Sequence, residues 1–283
     1  MSIRTVVSLV LLCGLVPVAV DAPAGQAAAG RPVPASAPAT TAPAGPLRVL
    51  FIGSSYTMYN GMIKMVAGLS RKATVDRPVE CRQVIIGGSS LQNHWLSKRS
   101  MRMLRDGEWD IVVLQGHHYV YRNRQKALLE YGPKFAEEVR KKKARLIWYM
   151  TWPNRRDAAD PSNLKKVRDV YLALRAKVGG TIAPAGEAIA EALRERPDLG
   201  DQLYFKDGYH PGPAGSYAIA CSIFAAIYGR SPEGLPGTLY GRDIDERRKK
   251  PCCTLDDKTA RFLQSLAWKA VGRIAKARPK PGG

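Results

Sequence analysis

Acidic side chains are scarce in this chain of 283 residues: 24 Asp and Glu stand against 44 Lys and Arg, a formal charge of +20. A field of that sign attracts anions and repels cations, which speaks about partners and not about fold. No RNA- or DNA-binding motif accompanies the charge, so no specific nucleic acid is expected. Histidine is rarer still, with four residues. His117 and His118 are adjacent, and neighbours on an extended segment point to opposite sides, so together with His94 and His210 they do not read as a metal cage. The cysteines show no metal-ligand spacing, and there is no internal repeat.

Long apolar runs are absent but for one. Val6 to Val20, preceded by Arg4, suits a signal-peptide core better than a membrane span. Small residues follow at Ala22 and at Ala27 to Ala29, so residues 1–22 are expected to be a signal peptide and the mature protein to be exported, periplasmic or extracellular, with no transmembrane span. Cys13 lies inside the run, but Leu12 before it is too large for a lipid-attachment site. Residues 23–46, dominated by Ala, Pro, Gly and Thr, lack the large apolar side chains that offset ordering entropy and read as a disordered linker. Cys81, Cys221, Cys252 and Cys253 remain, an even number with room for bridges in an oxidising compartment. Cys221, near Ala220, Ile223 and Phe224, reads instead as a small buried hydrophobe.

From Leu47 onward, short β-branched runs alternate with longer amphipathic stretches, the pattern of strands and helices around a parallel sheet. Strands are predicted at 47–52, 82–86, 110–115, 145–151 and 180–183. Helices are predicted near 61–72, 96–105, 124–142, 161–177, 212–228 and 255–275, with Gly132 and Pro133 interrupting the third, Asp160 and Pro161 opening the fourth and Thr254 capping the last. The fold class is therefore α/β, a three-layer α/β/α sandwich with a central, mostly parallel five-stranded sheet. One domain is expected over 47–235, followed over 236–283 by a basic surface connection (Arg247 to Lys250) and a C-terminal helix packed on it.

Two stretches carry chemistry. In the first, Arg48-Val-Leu-Phe-Ile-Gly53-Ser54-Ser55-Tyr56, a buried strand runs into a glycine and two serines; ligands of open parallel sheets bind beyond such strand ends, although the stretch taken alone reads first as a cap for the next helix. In the second, Asp207-Gly-Tyr-His210-Pro-Gly, a carboxylate and an imidazole stand three apart in a turn. A serine hydroxyl needs a base to take its proton, and the base needs a carboxylate to fix its tautomer. Taken alone, that stretch reads equally as a surface turn.

The order Ser, Asp, His, with acid and base late and adjacent, resembles the SGNH (GDSL-type) hydrolases. The resemblance rests on Phe51-Ile-Gly53-Ser54-Ser55-Tyr56-Thr57 and on Tyr204-Phe-Lys-Asp207-Gly-Tyr-His210-Pro-Gly-Pro-Ala-Gly215, and it spans about 47 to 235. It implies Ser55 as nucleophile, His210 as base and Asp207 as acid. It also implies an oxyanion hole from the N–H of Ser55, a second-block glycine in Ile85-Ile-Gly87-Gly88-Ser89-Ser90-Leu91, taken as Gly88 ahead of Gly87, and a third-block side chain. Where the family has Asn, this chain reads Val112-Val-Leu-Gln115-Gly116-His117-His118, so His117, or Gln115 with a shift, replaces the amide.

No cofactor is implied. The expected activity is hydrolysis of carboxylic esters through an acyl-enzyme, on a small-molecule or glycan ester, with O-acetyl groups of a polysaccharide or cell-envelope glycan preferred and an acidic polysaccharide favoured by the charge. Two other readings stay open at this stage: a glycan O-acetyltransferase, and a catalytically silent module that binds anionic glycans. His94 and Trp95 are left outside the catalytic set. Trp148 and Trp152 are candidates for a sugar-stacking wall, with core packing the blander reading.

Overall fold

The computed structural model describes residues 45–117, 119–240 and 251–278. The expected signal peptide, nearly all of the linker, His118 and the basic run from Arg247 to Lys250 lie outside the described residues. The apolar runs form five strands: β1 (Leu47–Gly53), β2 (Val79–Ile85), β3 (Ile111–Gln115), β4 (Arg145–Tyr149) and β5 (Thr181–Ala183). Every pairing is parallel and the order is β2-β1-β3-β4-β5. Between and after the strands come α1 (Ser55–Met58), α2 (Met62–Lys72), α3 (Leu91–Leu96), α4 (Lys98–Asp106), α5 (Lys126–Lys141), α6 (Pro161–Val178), α7 (Ala185–Glu195), α8 (Gly200–Leu203), α9 (Pro213–Tyr228) and α10 (Asp257–Lys276).

Alternation along each strand sorts the core into two layers. Val49, Phe51, Val113 and Tyr149 face α2, α7, α9 and α10, whereas Leu50, Ile52, Leu114 and Trp148 face α4, α5 and α6. Each such side chain, buried on both sides of the sheet, contributes roughly 1.5–3 kcal/mol. The sheet is thus the filling of a three-layer sandwich. Its order reverses between β1 and β3, and in open α/β sheets the crevice beyond that switch point is where ligands bind.

Several local expectations needed correction. α5 runs unbroken through Gly132 and Pro133, because Leu128, Tyr131, Phe135, Ala136 and Val139 bury one face and outweigh the single N–H that proline lacks. The helix predicted at 96–105 is α4, which starts two residues later after its cap Ser97, whose side chain accepts the Ser100 N–H, and the short α3 ahead of it was not expected. Asp256, not Thr254, caps α10, since its carboxylate reaches the Thr259 N–H. Asp160 caps α6 ahead of Pro161 as expected. Part of the segment read as a surface connection is buried: Leu239 and Cys253 pair through their backbones, and both side chains join the core. Cys81, Cys221 and Cys253 are free thiols, and Cys221 is a fully buried part of α9. No helix among the described residues is long and apolar enough to cross a membrane.

Candidate active site

β1 delivers its terminal residues to the switch point through a turn that is tightly clamped. Gln115, the last residue of β3, accepts the Ser54 N–H (3.0 Å) and the Thr57 hydroxyl (2.6 Å) on Oε1, and donates from Nε2 to Ser54 Oγ (2.7 Å). Position 53 must be glycine, because a Cβ there would overlap the Thr57 hydroxyl and the Gln115 amide oxygen. Ser54 makes no helix-capping bond; its hydroxyl is held by Gln115. Ser55 is therefore the serine left to face the site. As the first residue of α1 its N–H has no intrahelical acceptor. Gln115, considered from sequence as a shifted oxyanion donor, is instead the clamp of this turn: its amide is spent on Ser54, Thr57 and the Gly116 carbonyl.

The late turn meets Ser55 from across the sheet. His210 Nε2 lies 2.8 Å from Ser55 Oγ, and His210 Nδ1 lies 2.6 Å from Asp207 Oδ2. The other carboxylate oxygen of Asp207 accepts the N–H groups of Tyr209 (2.9 Å) and His210 (3.0 Å). Partial burial alone would push the Asp207 carboxyl up; the His210 ring and the two N–H groups hold it below the usual carboxylate range. An ionised Asp207 takes the proton on Nδ1, which leaves Nε2 to accept from Ser55. Tyr59 stacks on the imidazole (4.1 Å, 7° between planes) and Tyr56 meets it edge-on at 5.5 Å. Asn60 donates to the Pro211 carbonyl (2.8 Å) and to Ser216 Oγ (2.9 Å), tying the serine turn to the start of α9. Sequence reading missed Tyr59 and Asn60; the Asn60-Gly61 pair directly after the serine block was the available signal, and both residues adopt positive φ.

Gly88 and His117 line one hollow of about 440 Å³ together with Arg124 and Asn93. Gly88 has φ +62°, a conformation that glycine alone adopts without strain. His117 Nδ1 accepts the Tyr119 N–H at 3.0 Å, so in the neutral ring the proton sits on Nε2. Burial first, and then the Arg124 charge, pull the His117 pKa down and favour that neutral ring. The third-block position thus presents a neutral N–H donor.

His94, left out of the catalytic set, proves to be a buried strut. Its Nε2 stands 3.1 Å from the Gly53 carbonyl and 2.9 Å from Ser89 Oγ, and its Nδ1 stands 2.8 Å from Ser100 Oγ. The ring thereby ties the second block to the end of β1. Burial pushes its pKa down to about 4 from the usual 6.5, the Gly53 bond opposing only in part. Between those values the unfolded chain binds a proton that the folded chain does not, so stability rises with pH across the window and is lost as pH falls from 6.5 to about 4, by roughly 3 kcal/mol in full. Urea titrations over this range should show that slope, and the variant His94→Gln should flatten it; equal slopes would exclude the strut as its source.

Trp148 and Trp152 do not form a sugar wall. Both are buried; Trp152 stacks on Tyr56 (4.6 Å, 13°) beneath the catalytic turn, and Trp148 donates to the Gly179 carbonyl. The exposed aromatics near the site are Phe205 and Tyr209. A hollow of about 910 Å³ between α6 and α7 holds none of Ser55, Asp207 and His210.

No family model matches the chain, and no curated protein does either. Solved structures do. A protein from Slackia heliotrinireducens classed with the SGNH hydrolases superposes with a TM-score of 0.55 at 23% identity, covering 65% of this chain and 100% of its own. A DUF4886 family protein from Bacteroides uniformis gives 0.56 at 20% identity, covering 82% of this chain and 97% of its own. The chain has the SGNH-hydrolase fold. An acetylxylan esterase from Geobacillus stearothermophilus, solved as a catalytic mutant, shares the fold at a TM-score of 0.50 and 18% identity, covering 65% of this chain and 95% of its own. Within the SGNH-hydrolase fold of this chain, the serine turn follows β1, Gly88 follows β2 and His117 follows β3, all at the carboxyl ends of adjacent strands.

Proposed function

We propose that this chain is a serine esterase that hydrolyses carboxylic esters, acting outside the cell on O-acetyl groups of a polysaccharide or cell-envelope glycan. The observation that carries the reading is the unbroken chain of hydrogen bonds from Ser55 Oγ through His210 to Asp207. His210 takes the hydroxyl proton of Ser55, and the oxygen attacks the ester carbonyl carbon while the π pair moves onto the carbonyl oxygen. The N–H groups of Ser55 and Gly88 and the Nε2–H of His117 receive that oxyanion. Collapse breaks the ester bond, and His210 returns the proton to the departing alcohol. Water, deprotonated by His210, then releases the carboxylic acid and restores Ser55. Asp207 steadies the imidazolium throughout. No step calls for a cofactor.

The glycan substrate draws support from the basic charge, from the exposed Phe205 and Tyr209, and from the signal-like segment at Val6 to Val20. Its test is acetate release from O-acetylated polysaccharides compared with release from p-nitrophenyl acetate. The expected result is Ser55-dependent release from the polymer, with free acetate unchanged on adding acceptor sugar. Hydrolysis of the aryl ester with none of the polymer would exclude the glycan substrate, and acetyl groups appearing on the acceptor would make the protein a transferase.

A further inference from the structure

The turn that carries Asp207 and His210 flanks a hollow of about 450 Å³ lined by Arg122, Asn154, Arg155, Arg156, Lys206 and Tyr209. Asp207 lines it too, but its carboxylate is occupied by His210 and two backbone N–H groups. Arg122 is tied to Asp157 (2.5 Å) and Arg155 to Asp201 (2.5 Å). Among the described residues, Arg156 and Lys206 have no carboxylate within ion-pair distance, and both are exposed. Aromatic surface leads to them from the catalytic ring: Tyr59 stacks on His210, Phe205 meets Tyr59 edge-on at 5.7 Å, and the Lys206 ammonium lies 5.7 Å from the Phe205 ring.

The chemistry gives these surroundings a direction. In acyl transfer the oxyanion faces its donors, here Gly88 and His117, whereas the leaving oxygen must face the imidazole that protonates it. The alcohol half of the ester therefore departs on the His210 side, and the hollow adjoins the turn that carries His210. A guanidinium and an ammonium with no carboxylate at ion-pair distance among the described residues, beside aromatic faces, suit a ring-shaped group that bears a negative charge.

Resting on the esterase reading, we propose that this hollow is the subsite for the alcohol half of the ester, and that Arg156 and Lys206 select an alcohol carrying an anionic group. The carboxylate of an acidic sugar and a phosphate or sulfate on a sugar share the required chemistry. The test compares kcat/KM for phenyl acetate with that for 4-acetoxybenzoate and 4-acetoxyphenyl phosphate, in the wild-type protein and in Arg156→Glu/Lys206→Glu. Taking the anionic-to-neutral ratio in each protein and dividing one by the other removes the intrinsic reactivity of the esters. The ratio is expected to fall about tenfold in the double variant at low salt, to fall less in Lys206→Gln, and to lose its difference as ionic strength rises. A larger fall for the carboxylate ester assigns the subsite to acidic sugars, and a larger fall for the phosphate ester to phosphorylated ones. Equal ratios in both proteins, with phenyl acetate still hydrolysed, would overturn the subsite alone; a wild-type protein that cleaves none of the three would overturn the esterase reading and the subsite with it.

Discussion

Ser55→Ala is expected to lower kcat for p-nitrophenyl acetate by about 10⁴- to 10⁶-fold while moving Tm by no more than about 2 °C. Among the described residues Ser55 Oγ is bonded to His210 alone, so its loss removes the nucleophile without opening the core. His210→Ala should cost a similar factor, and the double variant should be no worse than either single one, because a nucleophile without its base and a base without its nucleophile are equally idle. Additive losses would mean that the two residues act separately.

The second large effect lies at the oxyanion. His117→Ala should reduce kcat by about 10²- to 10³-fold with KM little changed, the loss seen when one donor to a developing negative charge is removed. His117→Asn should restore a substantial part, since an amide N–H replaces the imidazole N–H. A kcat for His117→Ala within about threefold of wild type would remove His117 from the hole. The expectation follows from the Tyr119 N–H on Nδ1, which assigns the proton to Nε2, and from the burial that keeps the ring neutral.

Much of the sheet was legible because apolar runs such as Val49 to Ile52 and Ile111 to Leu114 are buried on both faces, and a parallel sheet needs little else to declare itself. The Asp207/His210 turn was legible as well, its members being only three residues apart. What stayed hidden was longer in range. Gln115 clamps a turn some sixty positions earlier in the chain, and the residues alone could not tell its amide from an oxyanion donor. His94 faces Gly53 through tertiary packing that no periodicity announces. The tryptophans pack in the core, which was the preferred of their two readings from sequence, although aromatic content does not say that Tyr56 is what covers Trp152. An interruption of α5 at Gly132 and Pro133 was expected because local propensity was weighed without the buried face that overrides it.

The central claim is that Ser55 is a nucleophile activated by His210. Its most direct measurement is labelling of the purified protein with a fluorophosphonate, followed by mass spectrometry of the peptides. The prediction is a single adduct on Ser55, absent from Ser55→Ala and strongly slowed in His210→Ala. No adduct, or an adduct on another residue that survives Ser55→Ala, would contradict it.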